Sequence, residues 1–192
     1  SIAERLSAGY HAAVPVTLTR EVDATELVEL RARILADLAD GEVRPTFTDF
    51  FALIVARCLR RHGALNGTFD GELLFHAPEV HLALAVDTAR GLVAPVLRPP
   101  ELANLGTIAR RRVELVEAAA RLTAAELAGG TFTLSNLGPL RVDAFTPVIN
   151  PPQIAILGTG RIRETPAAYK GQLVLRQMVV LSLTFDHRLV DG

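Results

Sequence analysis

The run Thr184-Phe185-Asp186-His187-Arg188-Leu189-Val190-Asp191-Gly192 carries a histidine off the end of an apolar segment into a cluster of charged groups. Neutral imidazole has the pKa of a general base near pH 7, and Asp191, four residues on, is spaced to fix the loop or orient the ring. The alternative is a structural histidine inside a surface salt-bridge cluster of Asp186, Arg188 and Asp191. A second candidate is Ser135, where Thr131-Phe132-Thr133-Leu134-Ser135 meets Asn136-Leu137-Gly138. Its hydroxyl can cap the turn or donate to an oxyanion. The Gly-x-Ser-x-Gly elbow of a serine nucleophile is absent. A third stretch, Asn150-Pro151-Pro152-Gln153, is a rigid turn feeding the apolar run Ile154 to Leu157. The Gly158-Thr159-Gly160 that follows lacks the third glycine and the helix of a dinucleotide fingerprint.

Several elements must hold these groups in place. Val14 to Val22, Leu73 to Phe75, Val80 to Val86, Leu92 to Leu97, Thr131 to Ser135, Ile154 to Leu157 and Val179 to Phe185 read as strands. In the last of these the odd positions face a core, while Ser182 and Thr184 point the other way. Three helices lie between them. Asp23 with Glu26 resembles a helix-start pair, ahead of Leu27, Leu30, Ile34 and Leu38 at helical spacing. Thr46 with Asp49 opens a second helix, expected to bury Phe50, Phe51, Ile54, Val55 and Cys58. The third follows Pro99-Pro100, with Leu105, Ala109, Val113, Val116 and Ala120 as its stripe and Arg110-Arg111-Arg112 as a solvated face. Ser1 to Tyr10 reads as a short helix or arm. The fold class expected is α+β, a mixed sheet with helices packed on one side, in a single domain over residues 1–192.

Composition narrows the function classes. Apolar residues make up 49% and charged residues 21%, and the formal net charge is −1, so there is no basic field for nucleic acid or a membrane surface. No apolar run reaches the length that spans a bilayer. The one cysteine, Cys58, excludes an intrachain disulfide, suits a reducing cytoplasm and reads as an inert core thiol.

Taken together, Asp186-His187-Arg188-Leu189-Val190-Asp191-Gly192, the Thr131 to Gly138 stretch, and Asn150-Pro151-Pro152 with Ala155-Ile156-Leu157-Gly158 resemble one family. It is the catalytic domain of the dihydrolipoamide acyltransferases of 2-oxo acid dehydrogenase complexes. Ala85-Val86-Asp87-Thr88 with Arg90-Gly91-Leu92-Val93-Ala94-Pro95-Val96, and Ile2-Ala3-Glu4-Arg5-Leu6, match further blocks in the family's order.

The resemblance implies a chloramphenicol-acetyltransferase-like fold, assembled as homotrimers that build a larger cubic or icosahedral core. It implies an active site in a channel between subunits, entered by coenzyme A from one end and a dihydrolipoyl arm from the other. His187 maps to the base and Ser135 to the oxyanion donor, from different subunits. Asp191 maps to a support of the histidine loop, with Arg5 as a possible ion-pair partner. Asp87 and Asn150 fall in blocks that line the substrate channel. Coenzyme A is a substrate, and no metal is called for. The lipoyl group is expected from a separate domain or protein, because Lys170, the only lysine, sits in Tyr169-Lys170-Gly171 without the flanks of a lipoylation site. The lipoyl and subunit-binding domains, and the family's C-terminal helix, are expected to lie outside these residues. Implied partners are the lipoyl domain and the decarboxylase and dihydrolipoamide dehydrogenase components, with neither nucleic acid nor membrane. Ser135-Asn136-Leu137-Gly138 and Phe145-Thr146-Pro147-Val148-Ile149-Asn150 look more like acetyl-transferring members than succinyl ones, with branched-chain acyl groups open. A non-catalytic core subunit and a free-standing coenzyme A-dependent acetyltransferase are the rival readings.

Overall fold

The computed structural model describes residues 13–89 and 91–191. In chain order the elements are β1 (Pro15–Asp23), α1 (Thr25–Ala36), α2 (Phe47–Arg61), β2 (Gly67–Phe69), β3 (Leu74–His76), β4 (Leu82–Leu84) and β5 (Val86–Thr88). There follow β6 (Gly91–Val93), β7 (Val96–Leu97), α3 (Leu105–Ala118), β8 (Phe132–Asn136), β9 (Ala155–Thr159), β10 (Arg163–Tyr169) and β11 (Gln172–Asp186). Seven strands form one sheet in the order β1-β11-β9-β8-β4-β7, with β10 also paired to β11. The pairs β4 with β8 and β8 with β9 are parallel and the rest antiparallel, so the sheet is mixed as expected. Two short hairpins, β2–β3 and β5–β6, stand apart from it.

Alternation along the strands splits the sheet into two chemically different faces. Leu82 and Leu84 of β4, Phe132 and Leu134 of β8, Ala155 of β9 and Phe185 of β11 form a core with Phe51, Ala52, Val55, Ala56 and Leu59 of α2 and Ile108 of α3. The opposite face is rich in hydroxyls. Cross-strand register places Thr17 beside Thr184 and Thr19 beside Ser182, then Ser182 beside Gly158 and Gly158 beside Ser135. Ser182 and Thr184 are buried there, bonded to the Thr19 and Thr17 hydroxyls at 3.5 and 2.7 Å.

Local chemistry explains the helix starts. Thr46 and Asp49 make a reciprocal capping box on α2, in which the Thr46 backbone N–H donates to the Asp49 carboxylate at 2.7 Å. The other Asp49 oxygen accepts from Arg112 Nε at 2.7 Å, a buried ion pair that clamps α2 to α3. Arg112 therefore does not belong to a solvated arginine face, although Arg110 and Arg111 do. Asp23 does not cap α1. Ala24 holds the cap position, and Asp23 accepts from the Thr25 N–H at 2.9 Å while pairing with Arg176.

Two helical stripes lie elsewhere than the sequence spacing suggests. On α2, Ile54 is 46% exposed and Cys58 is exposed, because the buried stripe runs through Phe51, Val55 and Leu59, and the pair Ile54 and Cys58 shares the outer side. The core-thiol reading of Cys58 is thus corrected. On α3 the buried positions are Ile108 and Ala109, and Val116 is exposed. The apolar run Val80 to Val86 breaks into β4 and β5, and β2 and β10 are additional strands. The β10–β11 turn is a tight one, with Lys170 at φ 50° and Gly171 at φ 79°, the left-handed pair that a two-residue hairpin loop requires. Ser1 to Tyr10 and Arg5 lie outside the described residues. Among those described, no helix is long and apolar enough to cross a membrane.

Candidate functional site

Ser135 is the penultimate residue of β8, on the hydroxyl-rich face. It opens onto a cavity of about 690 Å³ whose walls include Thr133, Leu137, Phe145, Val148, Asn150 and Ile156. Among the described residues nothing hydrogen-bonds the Ser135 hydroxyl. The turn after β8 is capped by Asn136 instead, whose side-chain oxygen accepts from the Gly138 N–H at 2.9 Å. The same amide donates to Thr48 at 2.9 Å, anchoring the strand end to α2. The capping role that competed for Ser135 therefore belongs to its neighbour, and the serine keeps a free donor. Thr133, two positions earlier on the same face, is engaged: its hydroxyl donates to the buried Gln153 side chain. Gln153 in turn donates its backbone N–H to the Asn150 carbonyl at 3.0 Å, closing the Asn150–Gln153 turn over the cavity.

His187 follows β11 directly. Its backbone N–H donates to the Val14 carbonyl at 2.9 Å, and its ring lies 5.9 Å from that of Phe185. The side chain is 44% exposed, and Nδ1 faces Asp191 Oδ1 at 4.0 Å, with Nε2 on the opposite side of the ring. Asp191 is itself 99% exposed. The turn is set by Asp186, which is only 4% exposed. Its carboxylate accepts from the backbone N–H groups of Val14 (3.2 Å) and Arg188 (3.1 Å) and from the Arg188 guanidinium at 2.6 Å. Burial pushes the Asp186 carboxyl up, but the Arg188 side chain, these two N–H groups and the Arg188 charge together hold it below the usual carboxylate range. Arg188 also lies over the Phe69 ring at 5.5 Å. Asp186 and Arg188 are thus an anchoring pair beneath the histidine turn, rather than part of a loose surface cluster with Asp191.

The two candidate groups are far apart in one chain. Ser135, Gly158 and Ser182 are successive register partners, and His187 lies five residues beyond Ser182. Strand geometry then puts His187 roughly 17 Å along the sheet and about 10 Å across it from Ser135, ~20 Å in all. Ser135 and Asn150 share a cavity, while His187 and Asp191 form a separate exposed corner. Asp87 is exposed on β5; its hairpin contributes Leu92 and Val93 to the cavity, but Asp87 is not itself in the wall. The engagement of Thr133 follows from the alternation that exposes Ser135. The buried Gln153 and the Asp186 anchor carry no such mark in the sequence.

Comparison with known proteins follows the same lines. A family model described as 2-oxoacid dehydrogenases acyltransferase (catalytic domain) matches residues 1–192. The dihydrolipoyllysine-residue succinyltransferase component of the 2-oxoglutarate dehydrogenase complex of Azotobacter vinelandii is 38% identical over 100% of this chain and 49% of its own length. The dihydrolipoyllysine-residue acetyltransferase component of the pyruvate dehydrogenase complex of Staphylococcus aureus is 35% identical, over 100% of this chain and 46% of its own. The chain therefore spans about half the length of the curated relatives it matches.

Among solved structures, one addresses the catalytic role of a serine, a histidine and an asparagine in the dihydrolipoamide acetyltransferase of Azotobacter vinelandii. It superposes with a TM-score of 0.93 at 33% identity, covering 99% of this chain and 80% of that one. Its serine and histidine are separated by as many residues as Ser135 and His187, and its asparagine stands four past the histidine, the place Asp191 takes here. The cubic core of the pyruvate dehydrogenase multienzyme complex superposes at 0.92 with 32% identity, covering 99% of this chain and 80% of that one. Chloramphenicol acetyltransferase superposes at 0.58 with 13% identity over 98% of this chain and 87% of its own, which shows a common fold alone.

Proposed function

Since the chain belongs to the 2-oxoacid dehydrogenases acyltransferase (catalytic domain) family, we propose that it transfers an acyl group, acetyl in the first place, between dihydrolipoamide and coenzyme A. The observation that carries this reading is the pairing of a free Ser135 hydroxyl in a cavity with an exposed His187 that one chain cannot bring to it. Each chain then offers two half-sites, and a neighbouring copy in a homotrimer supplies the missing half. The cubic-core relative supports assembly into a larger particle. The lipoyl arm comes from outside these residues, and the oxidative decarboxylase and dihydrolipoamide dehydrogenase are the natural partners. Such chemistry suits a reducing, cytoplasmic setting, in which both thiols stay available.

The steps follow from the groups. His187 Nε2 takes the proton of the attacking thiol, and the thiolate sulfur bonds to the thioester carbonyl carbon. The oxyanion that results accepts a hydrogen bond from the Ser135 hydroxyl. Collapse breaks the bond to the departing sulfur, which takes the proton back from His187. No acyl-enzyme forms, in keeping with the missing nucleophile elbow. A base of this kind contributes about 10²–10⁴-fold, and one oxyanion donor about 10²–10³-fold. Asp191 supports the loop and faces Nδ1, Asp186 with Arg188 sets the turn, and Asn150 shapes the channel wall beside Ser135. Arg5 remains the proposed partner of Asp191, and Asp87 a channel-side group on its hairpin.

The test is formation of acetyl-dihydrolipoamide from acetyl-coenzyme A and free dihydrolipoamide, followed by chromatography. The full chain is expected to catalyse it and His187→Ala to lose it with the oligomer intact. Wild-type turnover in His187→Ala would overturn the assignment.

A further inference from the structure

Gln153 carries a side-chain donor, Nε2, with no acceptor among the described residues. The residue is 7% exposed. Its turn stands between the cavity at Ser135 and a smaller one, of about 370 Å³, that reaches Asp186 and Arg188. The side chain belongs to the larger. The Thr133 hydroxyl donates to Oε1, and a Cβ placed on Gly130 would stand 2.6 Å from Nε2; Thr133 and Gly130 line that cavity and not the other. The bond from Thr133 fixes which way the amide points, and the missing side chain of Gly130 leaves room for its nitrogen. The sealed side-chain atoms without a partner among the described residues are Glu101 Oε2 and Thr159 Oγ1, so Nε2 is not closed off by protein and meets the cavity. A nearly buried donor of this kind is satisfied by whatever fills the space before it.

We propose that Gln153 is a substrate-positioning residue: its Nε2–H donates to the first amide carbonyl of the coenzyme A arm and so sets the thioester carbon against Ser135. The proposal rests on the acyl-transfer reading above and adds a residue to it. Spacing selects that amide. Thr133 and Ser135 are two apart on one face of β8, about 6.7 Å, and the Gln153 amide is tied at the Thr133 level. In a thioester of coenzyme A five bonds separate the thioester carbonyl carbon from the nearest amide carbonyl carbon, about 6 Å when extended. In an acyl-dihydrolipoamide nine bonds separate them, roughly 10 Å, which overshoots the donor. The chemistry agrees as well. Among the described residues no lysine, arginine or histidine lines the cavity, so its wall suits a neutral amide and not the phosphates further along the arm. A bond made at a fixed distance from the reacting carbon turns binding of the arm into orientation of the thioester. An analogue without the amide leaves the donor unpaired, and the site discriminates against it.

The experiment uses two small acetyl donors with free dihydrolipoamide: S-acetyl-N-acetylcysteamine, which keeps the amide and nothing beyond it, and S-ethyl thioacetate, which lacks it. The wild-type full chain is expected to favour the first in kcat/KM by about 10-fold, and Gln153→Leu to bring the ratio within about twofold of one. A purely structural loss lowers both donors alike and leaves the ratio standing, which overturns the proposal, as does a wild type without the preference. Gln153→Met, which keeps the length and drops the donor, decides where Gln153→Leu does not fold. The lipoyl arm is read by the ratio of dihydrolipoamide to propane-1,3-dithiol as acceptor. That ratio is expected to be unchanged in the variant, and its collapse in place of the donor ratio overturns the assignment to coenzyme A. If no thioester turns over, the acyl-transfer reading falls; then, or where acetyl-coenzyme A alone is turned over, calorimetry decides. Coenzyme A binding weakened about 10-fold in the variant, with adenosine 3′,5′-bisphosphate unchanged, upholds the proposal. Equal weakening of both, or of neither, refutes it.

Discussion

Mixing two inactive variants gives the most direct test of a site shared between chains. His187→Ala removes the base and leaves Ser135; Ser135→Ala removes the donor and leaves His187. Because the two residues are roughly 20 Å apart on one sheet, no rotamer change within a chain closes the gap. In trimers assembled at random from equal amounts of the two variants, a site regains both groups when its histidine comes from a Ser135→Ala chain and its serine from a His187→Ala chain. Each condition holds half the time, so about one site in four is restored. Unmixed, the variants retain only about 10⁻² of wild-type activity or less. Co-expressed, doubly tagged hetero-oligomers are thus expected to show about a quarter of wild-type activity in the thioester transfer assay, roughly 25-fold above either parent. If the mixture stays at the parental background while hetero-oligomers are demonstrably formed, the two groups do not meet across an interface, and the shared site is wrong.

Two further outcomes concern the frame that holds the site. Asp186→Ala strands the Arg188 guanidinium and the N–H groups of Val14 and Arg188. A fully buried pair broken this way costs about 3–5 kcal/mol, and exposure of Arg188 lowers that to about 2–3 kcal/mol. Urea denaturation measures it, and a loss below about 0.5 kcal/mol, the usual scale of a neutral surface change, would contradict the anchoring role. The second concerns acid. Asp23 is lowered from the ordinary value of 3.8 to about 2 by the side-chain and backbone hydrogen bonds of Thr25, with Arg176 assisting. A depressed carboxylate stabilises the fold above its unfolded pKa and loses that contribution as pH falls through the folded one. The melting temperature is therefore expected to drop between about pH 4 and pH 2, and Asp23→Asn to flatten that slope. An identical slope in the variant would show that Asp23 does not contribute.

Some of this was legible in the sequence and some was not. The capping box Thr46 with Asp49 was readable because both partners lie within one helical turn, where local geometry alone makes the bond. The mixed sheet with one helical layer followed from alternating strands and apolar stripes, which reflect short-range periodicity. Cys58 and Ile54 were misplaced because spacing identifies that a helix has an apolar side but not how it is rotated on the sheet. That rotation is set by contacts with Leu82, Phe132 and Phe185, far away in sequence. Arg112 looked like one of three solvated arginines until the fold brought the Asp49 carboxylate beside it.

The sequence by itself determined the chemical inventory: a histidine after an apolar strand, a serine before a glycine turn, no nucleophile elbow, and blocks in a family's order. Tertiary structure decided how that inventory is distributed. It gave the turn cap to Asn136 and left the Ser135 hydroxyl free, buried Asp186 under the histidine turn, and laid Phe145 on Gly158 beside Ser135. It also placed Ser135 and His187 at opposite ends of one sheet. Each of these depends on which strands become neighbours and in what register, and hydrogen bonding between segments up to 173 residues apart is a property of the folded chain, not of any local run of residues.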